Sequence, residues 1–548
     1  MPGLGVAFRI SHTANLKAIQ ATPWACTAPT FSQFRLGATT AKMSTQTQPN
    51  TTAVASAALK KRAVVSSFIF KFDQTPDGRA QVALFRRSGK VSTYRHHLAP
   101  ISGSIEPSDP SPLAAAWREI GEETTLDPSS LTLIRQGKNY TFSDVSVGRE
   151  WTIFPFAFRL KTTADEGRIT IDWEHEGWGW FDPLAVVDNG DFGGVPRLAE
   201  SLRRVWFEKD LGEVAGKVLS DGLARLATDY KSGARQLAGV ALETLRDVIA
   251  VLEPCSPSEQ WWANVRSAAW HIWKNGRESM GAAIVSALLA ALSEISDSLR
   301  SRPPGPWLTT VTTILNRRLA ARKHTSTLVS QSLAAYLSST PSPLSILTLS
   351  QSSTITHALH HLSTIRPLDL RILESRPLFE GVSLASSLAS PQTTITLHTD
   401  ASAALASKNL TLVLLGADRI SASGAVSNKT GSLPAVLSAG YVSPGVKVIV
   451  LCDAEKVAGP GRPEEHVVED SDAGQVTSAW AVGGGGQGVR GAAEVLGAEV
   501  AVRNTSFEWV PAELVDVYIT EFGEWGVKDI ASQSQKLADE EERMFGHV

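Results

Sequence analysis

The chain has 548 residues, 43% of them hydrophobic and 20% charged, with a formal net charge of −3. So long a chain exceeds one hydrophobic core and is expected to form about two to four domains, while so balanced a charge gives no reason to expect nucleic acid as the main partner. No apolar run looks long enough to cross a bilayer, and three widely spaced cysteines (Cys26, Cys255, Cys452) argue against a disulfide scaffold or a cysteine-based zinc site, which reads as an intracellular chain without a membrane partner.

No Asp or Glu precedes Asp73, while Arg9, Lys17, Arg35 and Lys42 are scattered among Ser, Thr and Ala. That composition suits a mitochondrial transit peptide over residues 1–60. It equally suits a disordered tail, or an extension ahead of a start at Met43, and leaves the chain cytoplasmic. Residues 63–72 (AVVSSFIFKF) and 81–87 (QVALFRR) are strand-like and flank the turn signal TPDG, as in a hairpin. A helix is expected next: Asp109 or Ser111 caps it, Pro110 and Pro112 suit its first turn, and Ala114, Ala115, Trp117 and Ile120 form its apolar side. Residues 150–160 (EWTIFPFAFRL) and 169–181 (ITIDWEHEGWGWF) complete the strands of this part.

The helix carries an unusual charge pattern. Glu119, Glu122 and Glu123 stand at i, i+3 and i+4, where like charges repel and a helix gains nothing. A hard divalent cation such as Mg²⁺ or Mn²⁺ would reverse that repulsion, and Arg118 is spaced to pair with Glu122. The stretch LAPISGSIEPSDPSPLAAAWREIGEETTL resembles the Nudix box, G-x5-E-x7-R-E-U-x-E-E-x-G-U with U aliphatic. Gly103, Arg118, Glu119, Ile120, Glu122, Glu123 and Leu126 match it. Asp109 replaces the first glutamate, one extra residue separates it from Arg118, and Thr125 stands where the family has a glycine. A β-branched threonine resists the left-handed backbone that glycine tolerates there. The resemblance implies an α/β/α sandwich over residues 61–195. It also implies metal-dependent hydrolysis of a nucleoside diphosphate derivative, with Glu119, Glu122 and Glu123 as metal ligands and, with Arg118, as catalytic residues. A late glutamate, Glu174 or Glu176, would complete the site.

From about 196 to 335 the pattern turns helical, with RLAESLRRVW, GARQLAGVALETLRDVIAVL and SMGAAIVSALLAALSEISDSL broken by Pro303 and Pro304. From 336 to 548, SILTLS, TTITLHT, LTLVLLGA and VKVIVLC are strands separated by helix-length segments, which predicts a parallel, Rossmann-like sheet with ligands at its carboxyl edge. GGGG at 483–486 lacks the Lys and Ser/Thr of a P-loop and reads as a loop.

The block LGADRISASGAVSNKTGSLPAVL (415–437) resembles a signature of the translation initiation factor 2B alpha/beta/delta family. Four further blocks agree in order: AAWHIWKNGRESMGAA, ILTLSQSS, LESRPLFEG and FEWVPAELVDVYITEFG. That superfamily also contains methylthioribose-1-phosphate isomerase and ribose-1,5-bisphosphate isomerase. The resemblance implies a helical part followed by a Rossmann-like domain that forms a homodimer and binds a sugar phosphate or nucleotide. Arg376, Asp418, Asn428, Lys429 and Ser350 are the binding candidates. In the isomerases a cysteine works with the aspartate matched here by Asp418; Ser350 holds the cysteine's position, and an unactivated hydroxyl does not replace a thiol in proton transfer near neutral pH. Three functions follow from the two resemblances: a hydrolase carrying a phosphate-binding domain, a regulatory subunit acting with initiation factor subunits in guanine-nucleotide exchange, and a sugar-phosphate isomerase.

Overall fold

The computed structural model describes residues 59–72, 79–230, 232–252, 258–301, 306–463, 466, 470–478 and 501–546. The turn TPDG, Pro303 and Pro304, the GGGG run, Cys26 and Cys255, and the first sixty residues up to 58 lie outside them. All elements below belong to the unit Ala58–Val548.

The first sheet contains β1 (Lys60–Phe72), β2 (Ala80–Arg87), β3 (Leu98–Ala99), β4 (Leu131–Gln136), β5 (Tyr140–Asp144), β6 (Arg149–Leu160) and β7 (His175–Phe181). Its order is β3-β2-β1-β6-β4, with β5 on β6 and β7 on β2. β1 runs antiparallel to β2, as the hairpin pattern predicts, and parallel to β6. Side chains alternate along a strand, so β1 sends Val65 and Ile69 to one face and Phe68 and Phe70 to the other. The first face packs on Ala115, Ala116 and Ile120 of the helix Pro112–Thr124. The second packs on Leu198, Leu202 and Trp206. A sheet between two helical layers is the expected sandwich.

Two expectations are corrected here. The strand proposed for 169–181 begins only at His175. Asp172 turns the chain first, accepting from the Glu174 N–H at 3.0 Å while its own carbonyl accepts from the His175 N–H. Strands β4 and β5 were not anticipated from the sequence. β4 matters, because it ties the sandwich to the helices that follow. Buried Arg135 donates to both oxygens of Glu208 (2.8 and 2.7 Å), to Ser220 and to the Val205 carbonyl. Asn275 then pairs with both backbone groups of Gln136, accepting from its N–H at 2.7 Å and donating to its carbonyl at 3.0 Å. An Asn275→Ala variant strands both groups and is expected to lose about 1–3 kcal/mol of stability. Urea unfolding checks this; an unchanged midpoint would remove Asn275 from the interdomain contact.

The helical part packs Glu208–Thr228, Ala234–Val251, Glu259–Asn275, Gly281–Arg300 and Trp307–Ala321 around one core, joined by Leu537, Met544 and Phe545 of the last helix, Val527–Phe545. Gly281–Arg300 is long and apolar enough to cross a membrane by length and composition, which corrects the expectation that no run reaches that length. It is the central core helix: Ile284, Leu288, Ala291, Leu292 and Ile295 are buried among its neighbours.

The second sheet contains β8 (Leu344–Leu349), β9 (Leu368–Leu373), β10 (Thr393–His398), β11 (Leu412–Leu415), β14 (Lys447–Leu451), β16 (Val517–Thr520) and β17 (Gly523–Trp525). A small antiparallel sheet is built from β12 (Arg419–Ile420), β13 (Val426–Lys429) and β15 (Phe507–Val510). The large sheet has the order β10-β9-β8-β11-β14-β16-β17 and is parallel up to β16. The chain leaves β8 in one direction and returns to its other side with β11. That reversal makes a switch point between β8 and β11, where such sheets open a crevice beyond their carboxyl ends.

Candidate functional sites

The first site lies on the helix Pro112–Thr124. Ser111 caps it, accepting from the Ala114 N–H at 3.1 Å. Arg118 is held on all sides: Asp109 accepts from it at 3.1 and 2.9 Å, the Ser104 carbonyl at 3.0 Å, Glu119 at 2.7 Å and Glu122 at 3.3 Å. The shorter Asp109 therefore still reaches the arginine despite the extra residue. The Arg118 guanidinium holds the Asp109 carboxyl below the ordinary range. Arg118 is thus a positioning residue that locks the loop to the helix. Glycine at 103 leaves room for the Glu119 carboxyl, since a Cβ there would fall 1.9 Å from its carboxyl carbon and displace it. Thr125 adopts the left-handed backbone (φ 61°) that its type resists, and its hydroxyl is tied to the Arg168 carbonyl at 3.0 Å.

The three glutamates separate. Glu122 is 59% exposed and turned to Arg118, whereas Glu119 and Glu123 are 12% and 5% exposed. Successive helical residues are about 100° apart, and in this structure Glu122 points to Arg118 rather than alongside Glu123. Among the described residues no group of three or more His, Cys, Asp or Glu is disposed to hold a metal ion. Of the three expected ligands, Glu119 and Glu123 lie within hydrogen-bond reach of each other, while Glu122 is turned to Arg118. Burial, followed by the charges of Glu119, Glu174 and Asp172, pushes Glu123 well up. Burial also raises Glu119, although hydrogen bonds from Arg118 and Glu123 oppose it. Two neighbouring carboxyls that share a proton, both raised by burial, are chemically suited to a hard divalent cation.

Of the late glutamates, Glu174 lines the same cavity as Glu119, while Glu176 turns to His96 at 3.0 Å. The cavity measures about 320 Å³, and Tyr94, Tyr140, Phe142, Trp151, Arg87 and Arg149 also line it. His175, which the sequence reading passed over, lies buried with Nε2 3.4 Å from Glu123. Its alternation with Glu174 and Glu176 was the available signal.

The second site is a cleft of about 830 Å³ at the switch point, lined by Ser350, Gln351, Ser352, Asp418, Asn428, Lys456 and Gly233–Gln236. Ser350, Asp418 and Asn428 are therefore brought together. Ser350 has φ 63° and donates to Glu380 at 3.0 Å; Lys429, which does not line the cleft, pairs with the same carboxylate at 3.2 Å. Half-buried Asp418 is pushed up by desolvation, against the pull of Lys456 and Lys429. Arg376 does not join them. Asp400 fixes the Ser375 and Arg376 N–H groups at 2.9 and 2.8 Å, and the Arg376 guanidinium lies over the Phe379 ring at 5.9 Å.

Sequence reasoning missed Lys456, which donates to the Ala417 carbonyl, and Arg235, which donates to Asp453 through Nε at 2.6 Å and again through its terminal nitrogen. Both sit outside the five blocks that resemble the initiation factor 2B family. Beneath the Asp453 loop, Glu521 accepts from the Ala454 N–H at 3.0 Å, and burial pushes its carboxyl up to about 7. A raised acid stabilises the fold below its unfolded value, and that contribution is lost as the pH rises through about 7. Glu521→Gln is thus expected to be more stable than the parent by about 2–3 kcal/mol at pH 8 and by less than about 1 kcal/mol at pH 5. Parallel pH profiles of parent and variant would contradict this.

The Initiation factor 2 subunit family matches residues 215–526. The chain belongs to this family. A NUDIX domain matches residues 60–204, ahead of the family's own region. Methylthioribose-1-phosphate isomerase of Pseudomonas syringae pv. syringae is 32% identical over 173 residues, covering 30% of this chain and 43% of that protein. The protein of the same name from Pseudomonas fluorescens is 30% identical over 168 residues, with the same coverage. The chain thus spans less than half the length of these curated relatives. Among solved structures, the Pyrococcus horikoshii OT3 translation initiation factor eIF-2B is 18% identical and covers 57% of this chain and 98% of its own, with a TM-score of 0.42. For eIF2B beta from Chaetomium thermophilum the values are 16%, 63%, 97% and 0.45.

Proposed function

We propose that the NUDIX domain is a metal-dependent hydrolase of a nucleoside diphosphate derivative. The observation that carries this reading is the buried pair Glu119 and Glu123, raised together by burial and set beside an aromatic-walled cavity. Glu119 and Glu123 would hold Mg²⁺ or Mn²⁺, which when bound lowers the pKa of water and neutralises phosphate charge. Arg118 holds the carboxylates in register, Glu174 faces the same space and is the candidate base, and Trp151, Phe142 and Tyr140 offer stacking surfaces for a base. Assay of the purified full chain against a nucleoside diphosphate panel with Mg²⁺ or Mn²⁺ tests it. Absence of cleavage across the panel would sink the reading.

A second reading concerns the switch-point cleft. The curated relatives are named as methylthioribose-1-phosphate isomerases, and Asp418 sits beside Ser350 at the carboxyl edge of the sheet. Sugar-phosphate isomerisation there would depend on Asp418, which burial keeps proton-bearing to a higher pH than an ordinary aspartate. Turnover of methylthioribose 1-phosphate or ribose 1,5-bisphosphate that disappears in Asp418→Asn supports isomerisation. Binding without turnover supports a sensing domain instead.

A further inference from the structure

A third cavity, of about 220 Å³, lies on the other side of the strand that carries Asp418. Trp273, Lys274, Glu278, Arg419, His466 and Trp509 line it, with Arg462 and the turn Gly459–Pro463. Asp418 and Arg419 are neighbours in an extended segment, so their side chains leave in opposite directions: Asp418 into the large cleft, Arg419 into this one.

Among the described residues neither the Arg419 guanidinium nor the Lys274 ammonium donates a side-chain hydrogen bond; Lys274 lies only over the Trp273 ring, at 3.7 Å. Both are half-buried, which lowers both groups, and Arg419 repels Lys274. The carboxylates of Glu278 and Glu541 act on them without a hydrogen bond. His466 is pushed down to about 4 by burial and then by Arg419, so near neutral pH it is an uncharged neighbour stacked edge-on against Trp509 at 5.9 Å. Cationic N–H groups that face a cavity without an acceptor are unsatisfied donors, so an acceptor arriving there is favoured. Two adjacent cations, one a planar fork and one a point charge, match the oxygens of a phosphate group.

We propose that this cavity is a phosphate-binding site, separate from both sites above, with Arg419 and Lys274 as its ligands and the Trp273 and Trp509 rings as walls. It takes free phosphate or the phosphate of a small monoester. The inference stands apart from the hydrolase reading, because none of its residues belongs to the NUDIX domain. Lys274 precedes Asn275, the residue clamped to Gln136, so occupancy would bear directly on the contact between the two parts of the chain.

Isothermal titration of the full chain with inorganic phosphate, and separately with AMP and ribose 5-phosphate, in a buffer free of other anions of this kind, tests the proposal. Arg419→Met and Lys274→Met are each expected to weaken binding by about tenfold or more. Arg419→Met is also expected to raise the melting temperature without phosphate, because it removes a half-buried charge that repels Lys274. Equal affinity for all three probes identifies free phosphate as the ligand; tighter AMP binding places a base between the tryptophans. Wild-type affinity in both variants overturns the proposal. So does loss of binding in Lys456→Gln with retention in Arg419→Met, which would place the phosphate in the large cleft. Should one variant fail to fold, the other carries the test.

Discussion

Glu123→Gln is expected to lower metal-dependent hydrolysis on the order of 10²–10⁴-fold while leaving the protein at least as stable as the parent. Glu123 is 5% exposed, and both burial and the nearby carboxylates of Glu119, Glu174 and Asp172 disfavour its charged form. Glutamine keeps the shape of the protonated acid and removes that repulsion. The upward thermal shift produced by Mg²⁺ in the parent should disappear in the variant. Glu122→Gln makes the contrast: its side chain is exposed and turned to Arg118, so a smaller loss is expected. Full activity in Glu123→Gln would remove this residue from the mechanism. A lower melting temperature without metal would contradict the repulsion argument itself.

The largest expected change in stability lies at Asp453. This carboxylate is 3% exposed and receives two hydrogen bonds from Arg235, which in turn donates to Thr354 at 2.9 Å and to Ser326. Burial acts most strongly, to raise Asp453, but the Arg235 hydrogen bonds together with the charges of Lys456, Arg235 and Arg322 outweigh it and hold the carboxyl below its ordinary value. The pair therefore stabilises the fold above the unfolded carboxylate range and is lost only as the pH falls below it. Asp453→Ala leaves the Arg235 charge buried and is expected to cost about 3–5 kcal/mol in urea unfolding of the C-terminal region. The double replacement Arg235→Met, Asp453→Leu should recover most of that loss, since no charge is then stranded. If the double variant were as unstable as the single one, packing rather than charge would be the cause. The pair also shapes the cleft, because Arg235 lines it while joining the helical part to the end of β14.

The local patterns were legible wherever chemistry and spacing lie close together in the chain. Ser111, Pro112, Ala115 and Ile120 specify the helix that carries the glutamates, and the apolar runs at 345–350, 410–417 and 446–452 specify strands of a parallel sheet. The meeting of Ser350 with Asp418 also followed from the sequence, because crossover connections bring the loops after such strands to one edge. What needed the tertiary structure was direction. Helical spacing puts Glu119, Glu122 and Glu123 on neighbouring positions, but only the loop bearing Gly103 and Asp109 decides that two face inward and one faces water. Arg376 sits in a matching block, yet the Asp400 contacts to its backbone set its side chain against Phe379. Arg235 and Asp453 are far apart in the chain, as are Lys274 and Arg419. No periodicity links such pairs, since their burial and proximity arise only when separate elements pack, and packing is what turns an ordinary surface charge into a partnered or unpartnered buried one.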